Sequence, residues 1–151
     1  MVEITLQAKI DNFDTLMGFV IDFSKKLGLD KKALNKVRLV AEEAIINVIN
    51  YAYPLNVNEE YITVVCDEMI HPKRAVKLQV SDKGIPFNPL LTAVVDTTQS
   101  IDDRPIGGLG IHLVKKLADE VLYSRDNYTN TLTIIFYLTD ENIDSSLDYA
   151  K

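Results

Sequence analysis

Two pairs of predicted strands, each pair joined by a short turn, constrain the fold of this chain most strongly. The four segments lie at residues 61–70, 76–80, 120–125 and 131–138. The turns between them span only residues 71–74 and 126–130. Turns this short join antiparallel neighbours, because a parallel connection needs roughly a dozen residues or more. The sheet is therefore expected to be mixed and mostly antiparallel.

Helical spacing of apolar residues predicts three helices around these strands. A strand at residues 2–10 comes first and is followed by a helix with a cap at Asp11-Asn12 and an end at Gly28. A longer helix runs from a cap at Asp30 to about Tyr51, and a third covers residues 109–119. The element order is β-α-α-β-β-loop-α-β-β. It predicts an α+β two-layer sandwich with the helices on one face of the sheet.

Length and composition exclude several classes of protein. A chain of 151 residues with 47% hydrophobic and 25% charged residues is typical of one globular domain. A single cysteine, Cys66, excludes an internal disulfide, and no apolar run approaches a membrane span. The N-terminus shows no signal-peptide pattern, so a cytoplasmic location is expected. The net charge of −6 disfavours direct nucleic-acid binding. Residues 1–139 are interpreted as the domain, and 140–151 as an acidic tail.

The second predicted helix places three polar side chains together. Its apolar stripe consists of Leu34, Val37, Ala41, Ala44, Ile45, Val48 and Ala52. Glu43, Asn47 and Asn50 lie on the opposite side, between apolar borders, as in a lined pocket. A carboxylate beside a carboxamide oxygen can hold a hard cation and position a hydroxyl group. The alternative is an ordinary amphipathic helix with a solvated Glu and Asn.

Two further segments could contact a ligand. Asp82-Lys83-Gly84-Ile85-Pro86-Phe87 follows a predicted strand, where an aspartate could accept a hydrogen bond from an amino group. Its residue types are equally those of a plain turn. Arg104-Pro105-Ile106-Gly107-Gly108-Leu109-Gly110-Ile111 leads a glycine-rich loop into a helix start, which is a suitable place for an anion. A simple flexible loop is the alternative there.

The three segments together resemble the ATP-binding signature of the GHKL (Bergerat-fold) superfamily. The matching phrases are Glu43-x-x-x-Asn47, Asp82-x-Gly84-x-Pro86-Phe87 and Gly107-Gly108-Leu109-Gly110. Within the superfamily, the chain is most similar to the anti-sigma-factor serine/threonine kinases of the RsbW and SpoIIAB type. The resemblance covers residues 5–138 and implies a Bergerat-type ATPase fold.

The resemblance implies a role for each matching residue. Asn47 would ligate Mg²⁺ that bridges the ATP phosphates. Glu43 would act as general base or orient the attacking hydroxyl group, with Arg104 near the terminal phosphate. Asp82 would accept from the adenine amino group, with Gly84 letting the base approach and Thr133 or Thr131 completing the pocket. The implied nucleotide-binding set is Asn47, Asn50, Asp82, Gly84, Phe87, Gly107, Gly108, Leu109, Gly110, Ile111 and Thr133. Residues 90–107 would form a lid over the nucleotide.

The function implied by the resemblance is a protein serine/threonine kinase that acts as an anti-sigma regulatory factor. It would phosphorylate a STAS-type anti-sigma antagonist in a partner-switching system that controls transcription. A sigma factor and a second copy of the chain are the other implied partners. An ATP-binding switch module without significant kinase activity is the alternative. Membrane and nucleic-acid partners are not expected.

Overall fold

The computed structural model describes residues 1–54, 60–91 and 108–144, and five strands in these ranges form one sheet. The strands are β1 (Val2–Gln7), β2 (Tyr61–Met69), β3 (Ala75–Asp82), β4 (Glu120–Asp126) and β5 (Thr129–Tyr137). The helices are α1 (Phe13–Lys26), α2 (Lys31–Asn47) and α3 (Gly108–Leu117). The strand order is β1-β2-β3-β5-β4, and each neighbouring pair is antiparallel.

This architecture confirms the predicted α+β sandwich. The short turns join β2 to β3 and β4 to β5, as expected. The mixed sheet that was predicted is a correction, because every pair among the described strands is antiparallel. The second turn is tighter than predicted, because only Asn127 and Tyr128 lie between the strands. Both have positive φ, 46° and 64°. Paired left-handed residues match the twist of a two-residue hairpin.

The alternation of side chains along the strands separates a helix-covered face from an open face. On β2 and β3 the residues directed at the helices include Ile62, Val64, Leu78 and Val80, and each is at most 2% exposed. From the helices, Leu16, Val37, Ala41, Ile45 and Val114 complete the core. Burying these apolar side chains between the two layers supplies the main driving force for folding.

Of the two helix caps that the sequence predicts, the one at Asp30 is confirmed and the one at Asp11-Asn12 is wrong. Asp30 caps α2, since its Oδ1 accepts from the backbone N–H of Ala33 at 2.7 Å. Gly28 ends the preceding turn with φ of 77°, a conformation that favours glycine. The cap predicted at Asp11-Asn12 is wrong, because Asn12 donates its Nδ2 to the carbonyl of Gln7 instead. That bond closes the end of β1, which stops at Gln7 rather than residue 10.

The second helix changes its geometry where the site begins. The α-helix ends at Asn47, and Val48–Ala52 form a π-helical turn rather than the continuation predicted to Tyr51. Such wider turns are rare and occur frequently at functional sites. Here the turn brings the carbonyl of Ala52 to the backbone N–H of Ile85 at 2.8 Å. The helix is thereby tied to the segment that follows β3.

Residues beyond the last strand lie against the turn between α1 and α2. Asp144 donates its backbone N–H to Gly28, and Asp30 donates its own to Asn142, both at 2.8 Å. Residues 145–151 lie outside the described ranges, so a separate tail from residue 140 stays a prediction. Among the helices described, none combines the length and apolar character needed to cross a membrane.

We predict that Asp30→Ala destabilises the fold by about 1 kcal/mol, because the first turn of α2 loses its side-chain cap. The matched control is Asp11→Ala, where no side-chain cap is lost. Urea unfolding followed by circular dichroism measures both. Equal stability of the two variants would contradict the assignment of Asp30 as a cap.

Candidate functional site

A cavity opens between α2, the end of β3 and the first turns of α3. Its empty space, counted together with the solvent at its open side, is about 500 Å³. Most of its lining is apolar, including Val48, Val80, Ile85, Phe87, Ile111 and Leu132. The polar side chains of Asn47, Asp82, Tyr123 and Asn130 also face it. An apolar slot with a few fixed polar groups suits a flat ligand that makes specific hydrogen bonds.

Asp82 is the buried carboxylate of this cavity and is 8% exposed. Its Oδ1 accepts from the backbone N–H of Gly84 and from Nδ2 of Asn130, both at 2.8 Å. No hydrogen bond to Oδ2 occurs among the described residues. Burial raises the pKa of Asp82, while the two hydrogen bonds and the nearby Arg125 oppose that rise. The second oxygen is thus left for a donor from a ligand.

Asn47 presents an unusual unpaired group to the same cavity. Its Nδ2 atom is buried and has no hydrogen-bond partner among the described residues. A buried polar group without a partner costs free energy, and such exceptions in native structures mark places where a ligand or ion completes the bonding. Rotation of the amide by 180° would present its carbonyl oxygen instead. The residue therefore fits either a phosphate oxygen or a hard cation.

Glu43 lies one helical turn before Asn47 but is not among the residues that line the cavity. Its carboxylate packs against the first turn of α3, so a Cβ atom added at Gly110 would collide with Oε2. Burial, and secondly repulsion from Glu42, raise the pKa of Glu43 above its ordinary value. Gly110 therefore leaves room for this carboxylate.

Gly84 allows a close contact with Ala52, whereas the resemblance implied that this glycine makes room for adenine. A Cβ atom at this position would collide with the backbone carbonyl of Ala52 at the end of the π-helical turn. The missing side chain lets the two segments approach, and the bond from Ile85 to Ala52 follows. Adenine access was the expected reason for this glycine. The contact that the structure shows is between two parts of the chain.

The remaining predicted residues fall into four groups. Phe87 and Ile111 line the cavity, with Phe87 half-exposed at its mouth. Asn50 lies on the π-helical turn, exposed and outside the cavity lining. Arg104, Gly107 and most of the predicted lid at 90–107 lie outside the described residues. Gly108 and Leu109 begin α3, whose first turn adjoins Glu43.

Thr133 and Thr131 are corrections, because both lie on the open face of the sheet. Thr133 is paired with Gln79 across the sheet and accepts a hydrogen bond from its Nε2 at 3.0 Å. Thr131 similarly bonds Ser81. Neither side chain lines the cavity. The alternation of β5 instead turns Asn130 and Leu132 toward the helices.

Asn130 is a site residue for which the sequence predicted no ligand role. The sequence predicts a turn at 126–130, whereas β5 begins at Thr129 and the register places Asn130 directly opposite Asp82. Its side chain also reaches Tyr123 and Arg125 on β4. The signal was the spacing of two that joins position 130 to Leu132, Ile134 and Phe136, all on the helix-covered side.

Comparison with known proteins agrees with this geometry. Residues 6–136 match the histidine kinase-like ATPase domain, and the chain belongs to that family. The resemblance to the GHKL superfamily is thereby confirmed.

Among curated proteins, the chain is similar to the serine-protein kinase RsbW of Staphylococcus aureus strains MSSA476 and MW2. The identity is 28% over 114 residues, which is 73% of this chain and 69% of that kinase. Among solved structures, it is similar to the RsbU and RsbW domains of Rv1364c from Mycobacterium tuberculosis. That match has a TM-score of 0.59 and 15% identity, and covers 91% of this chain but only 32% of the other. The structural match supports the fold alone.

We expect Gly84→Ala to lower the stability by roughly 1–3 kcal/mol, because the new methyl group must displace the backbone of Ala52. Gly18→Ala is the matched control. Nothing lies within 4 Å of a Cβ at Gly18, within a helix, so this change should stabilise by about 0.5–1 kcal/mol. Thermal unfolding compares the two. If Gly84→Ala is as stable as the parent, the close approach to Ala52 is unimportant.

Proposed function

We propose that this chain is an ATP-dependent protein serine/threonine kinase that acts as an anti-sigma factor. Its substrate would be a STAS-type anti-sigma antagonist, and Mg²⁺ would accompany ATP. The observation that carries the proposal is the unpaired amide of Asn47 in the same cavity as the half-satisfied carboxylate of Asp82. The similarity to curated RsbW kinases supports it.

Asp82 would recognise the base of the nucleotide. Its Oδ2 atom has no donor among the described residues, and the adenine amino group is a donor that could supply one. The apolar walls around it, which include Val80, Ile85 and Leu132, suit the faces of a purine ring. The buried carboxylate therefore supports a preference for a base with an amino group at this position.

Asn47 and the start of α3 would hold the phosphates. Magnesium, when bound, would neutralise phosphate charge during transfer. Asn47 would contribute its carboxamide to the ion or to a phosphate oxygen. Gly108 begins α3, and the free backbone N–H groups of a helix start favour an anion. Arg104 and Gly107 are proposed to contribute from the segment outside the described residues.

Glu43 would act as the general base toward the hydroxyl group of the substrate protein. Burial and the neighbouring Glu42 raise the pKa of Glu43, which increases its affinity for the proton that it must accept. Gly110 leaves space for its carboxylate beside the start of α3. Its position one helical turn from Asn47 brings the base close to the proposed phosphate site.

An ATP-binding switch without significant kinase activity is the second candidate. It is favoured by one observation, namely that Glu43 does not itself line the cavity. Both candidates share the nucleotide site and differ only in phosphoryl transfer. A sigma factor and a homodimer are parts of the proposal that follow from the resemblance, and a cytoplasmic location is a part that follows from the sequence pattern.

Replacing the proposed base separates the two candidates. Glu43→Gln should keep ATP affinity within a few-fold and lower phosphoryl transfer by roughly 10²–10⁴-fold, because the proton acceptor is lost. Transfer of labelled phosphate from ATP to a STAS-type antagonist from the same genome measures the rate, and calorimetry measures the affinity. Glu42→Gln is the matched control, since Glu42 is half-exposed and pairs with Arg38.

The kinase function is supported if the parent protein and Glu42→Gln transfer phosphate to the antagonist and Glu43→Gln does not. Transfer at an undiminished rate in Glu43→Gln would refute the role of Glu43. ATP binding without transfer by the parent protein would favour the switch.

The transfer rate should also depend on pH. Glu43 accepts a proton only when ionised, and burial raises its pKa above its ordinary value. The rate should therefore fall as the pH is lowered through this raised pKa. Glu42→Gln removes one cause of the rise, so the midpoint of the acidic limb should move to lower pH. An acidic limb that persists unchanged in the residual activity of Glu43→Gln would assign the titration to another group.

A further inference from the structure

The side chain of Asn130 makes four hydrogen bonds and has no capacity left for a ligand. Its Nδ2 donates to Oδ1 of Asp82 at 2.8 Å and to the carbonyl of Ile85 at 2.9 Å. Its Oδ1 accepts from the hydroxyl of Tyr123 at 2.7 Å and from Nη1 of Arg125 at 2.6 Å. A carboxamide has two donor hydrogens and two acceptor sites. All of them are used.

Arg125 fixes which way this amide points. A guanidinium group only donates, so the atom of Asn130 that faces Arg125 must be the carbonyl oxygen. The amide nitrogen must then face Asp82. The opposite orientation would set a carbonyl oxygen against a carboxylate and an amino group against a guanidinium, and both contacts are repulsive. Asn130 is 5% exposed, so water does not readily compensate for that repulsion.

Arg125 also fixes the segment after β3. The same Nη1 atom donates to the carbonyl of Gly84 at 3.2 Å. Gly84 in turn donates its backbone N–H to Oδ1 of Asp82. Among the described residues, the two groups that donate to Asp82, from Gly84 and Asn130, both bond Oδ1. The direction of Oδ2 is therefore set by residues on β4, on β5 and in the turn after β3.

We propose that Arg125 and Asn130 are positioning residues that set the base selectivity of the cavity by holding Oδ2 of Asp82 as its acceptor. This inference rests on the proposed nucleotide function, because it takes a purine as the ligand. An amino group at position 6 of the purine pairs with this oxygen. A 6-oxo group meets it acceptor to acceptor and is rejected. The two residues act through Asp82 and do not contact the base.

The test compares ATP with inosine triphosphate, which has a 6-oxo group in place of the 6-amino group, carries a hydrogen on N1, and has no 2-amino group. Calorimetry gives the ratio of the two affinities for the parent protein, Arg125→Met, Arg125→Lys and Arg74→Met. Arg74 is the matched control, since it is an exposed arginine that pairs with Glu68 just before β3. Circular dichroism verifies that each variant is folded.

The parent protein should prefer ATP, and Arg125→Met should lower the ATP-to-ITP ratio at least about fivefold, as expected for loss of a charged hydrogen bond. Arg125→Lys should restore part of the ratio of ATP to ITP affinity, because lysine keeps the positive charge and a donor nitrogen. Arg74→Met should leave the ratio unchanged. A loss of stability alone would weaken both ligands equally and would not alter the ratio.

A second variant tests the orientation without touching Arg125. In Asp82→Asn, the donors from Gly84 and Asn130 should hold the carbonyl oxygen of the new amide inward. Its amino group then faces the cavity, and the preference should shift from ATP toward ITP. This variant keeps the proposal testable if Arg125→Met fails to fold.

The positioning role is refuted if folded Arg125→Met keeps the parent ratio, or if Asp82→Asn keeps the preference for ATP. In either case the proposed function stands as long as the parent protein binds ATP selectively. If the parent protein binds neither nucleotide, the proposed function falls, and the positioning role falls with it.

Discussion

The site depends on the register between β3 and β5. Asp82, the last residue of β3, lies directly opposite Asn130 near the start of β5, and their side chains bond on the helix-covered face. A shift of either strand by one residue would turn its side chain, Asp82 or Asn130, to the open face and place Ser81 or Thr131 at the cavity instead. The core fixes that register, since the same pairing buries Leu78, Val80 and Ile134. Packing of apolar residues thus positions the polar ones.

The sequence predicted the elements well because their signals are local. Alternation, short turns and the cap at Asp30 located the strands and α2, and the resemblance led to the cavity through Asp82 and Asn47. The π-helical turn could not be predicted, because it depends on the contact between Ala52 and the segment at Gly84. Asn130 was missed for a similar reason. Its role requires four partners from different segments, although its face could be inferred from its spacing to Leu132.

Two motif glycines make room for contacts within the chain itself, in addition to any contact with a ligand. Gly84 admits the carbonyl of Ala52, and Gly110 admits the carboxylate of Glu43. Both contacts join α2, or the turn that extends it, to a segment on the far side of the cavity. The first holds one wall of the cavity in place, and the second joins the proposed base to the helix start that would bind phosphate. Spacing within a motif can therefore reflect packing between segments as well as ligand contact.

We propose that Asn47 and Asp82 complete their bonding with a magnesium nucleotide. A calorimetric titration with ATP, with and without Mg²⁺, of the parent protein and of Asn47→Leu tests this, because leucine has a similar volume and no polar group. We expect binding in the micromolar range that requires Mg²⁺ and weakens at least about tenfold in Asn47→Leu. Binding that is indifferent to both Mg²⁺ and Asn47, or no binding by the parent protein, would contradict it.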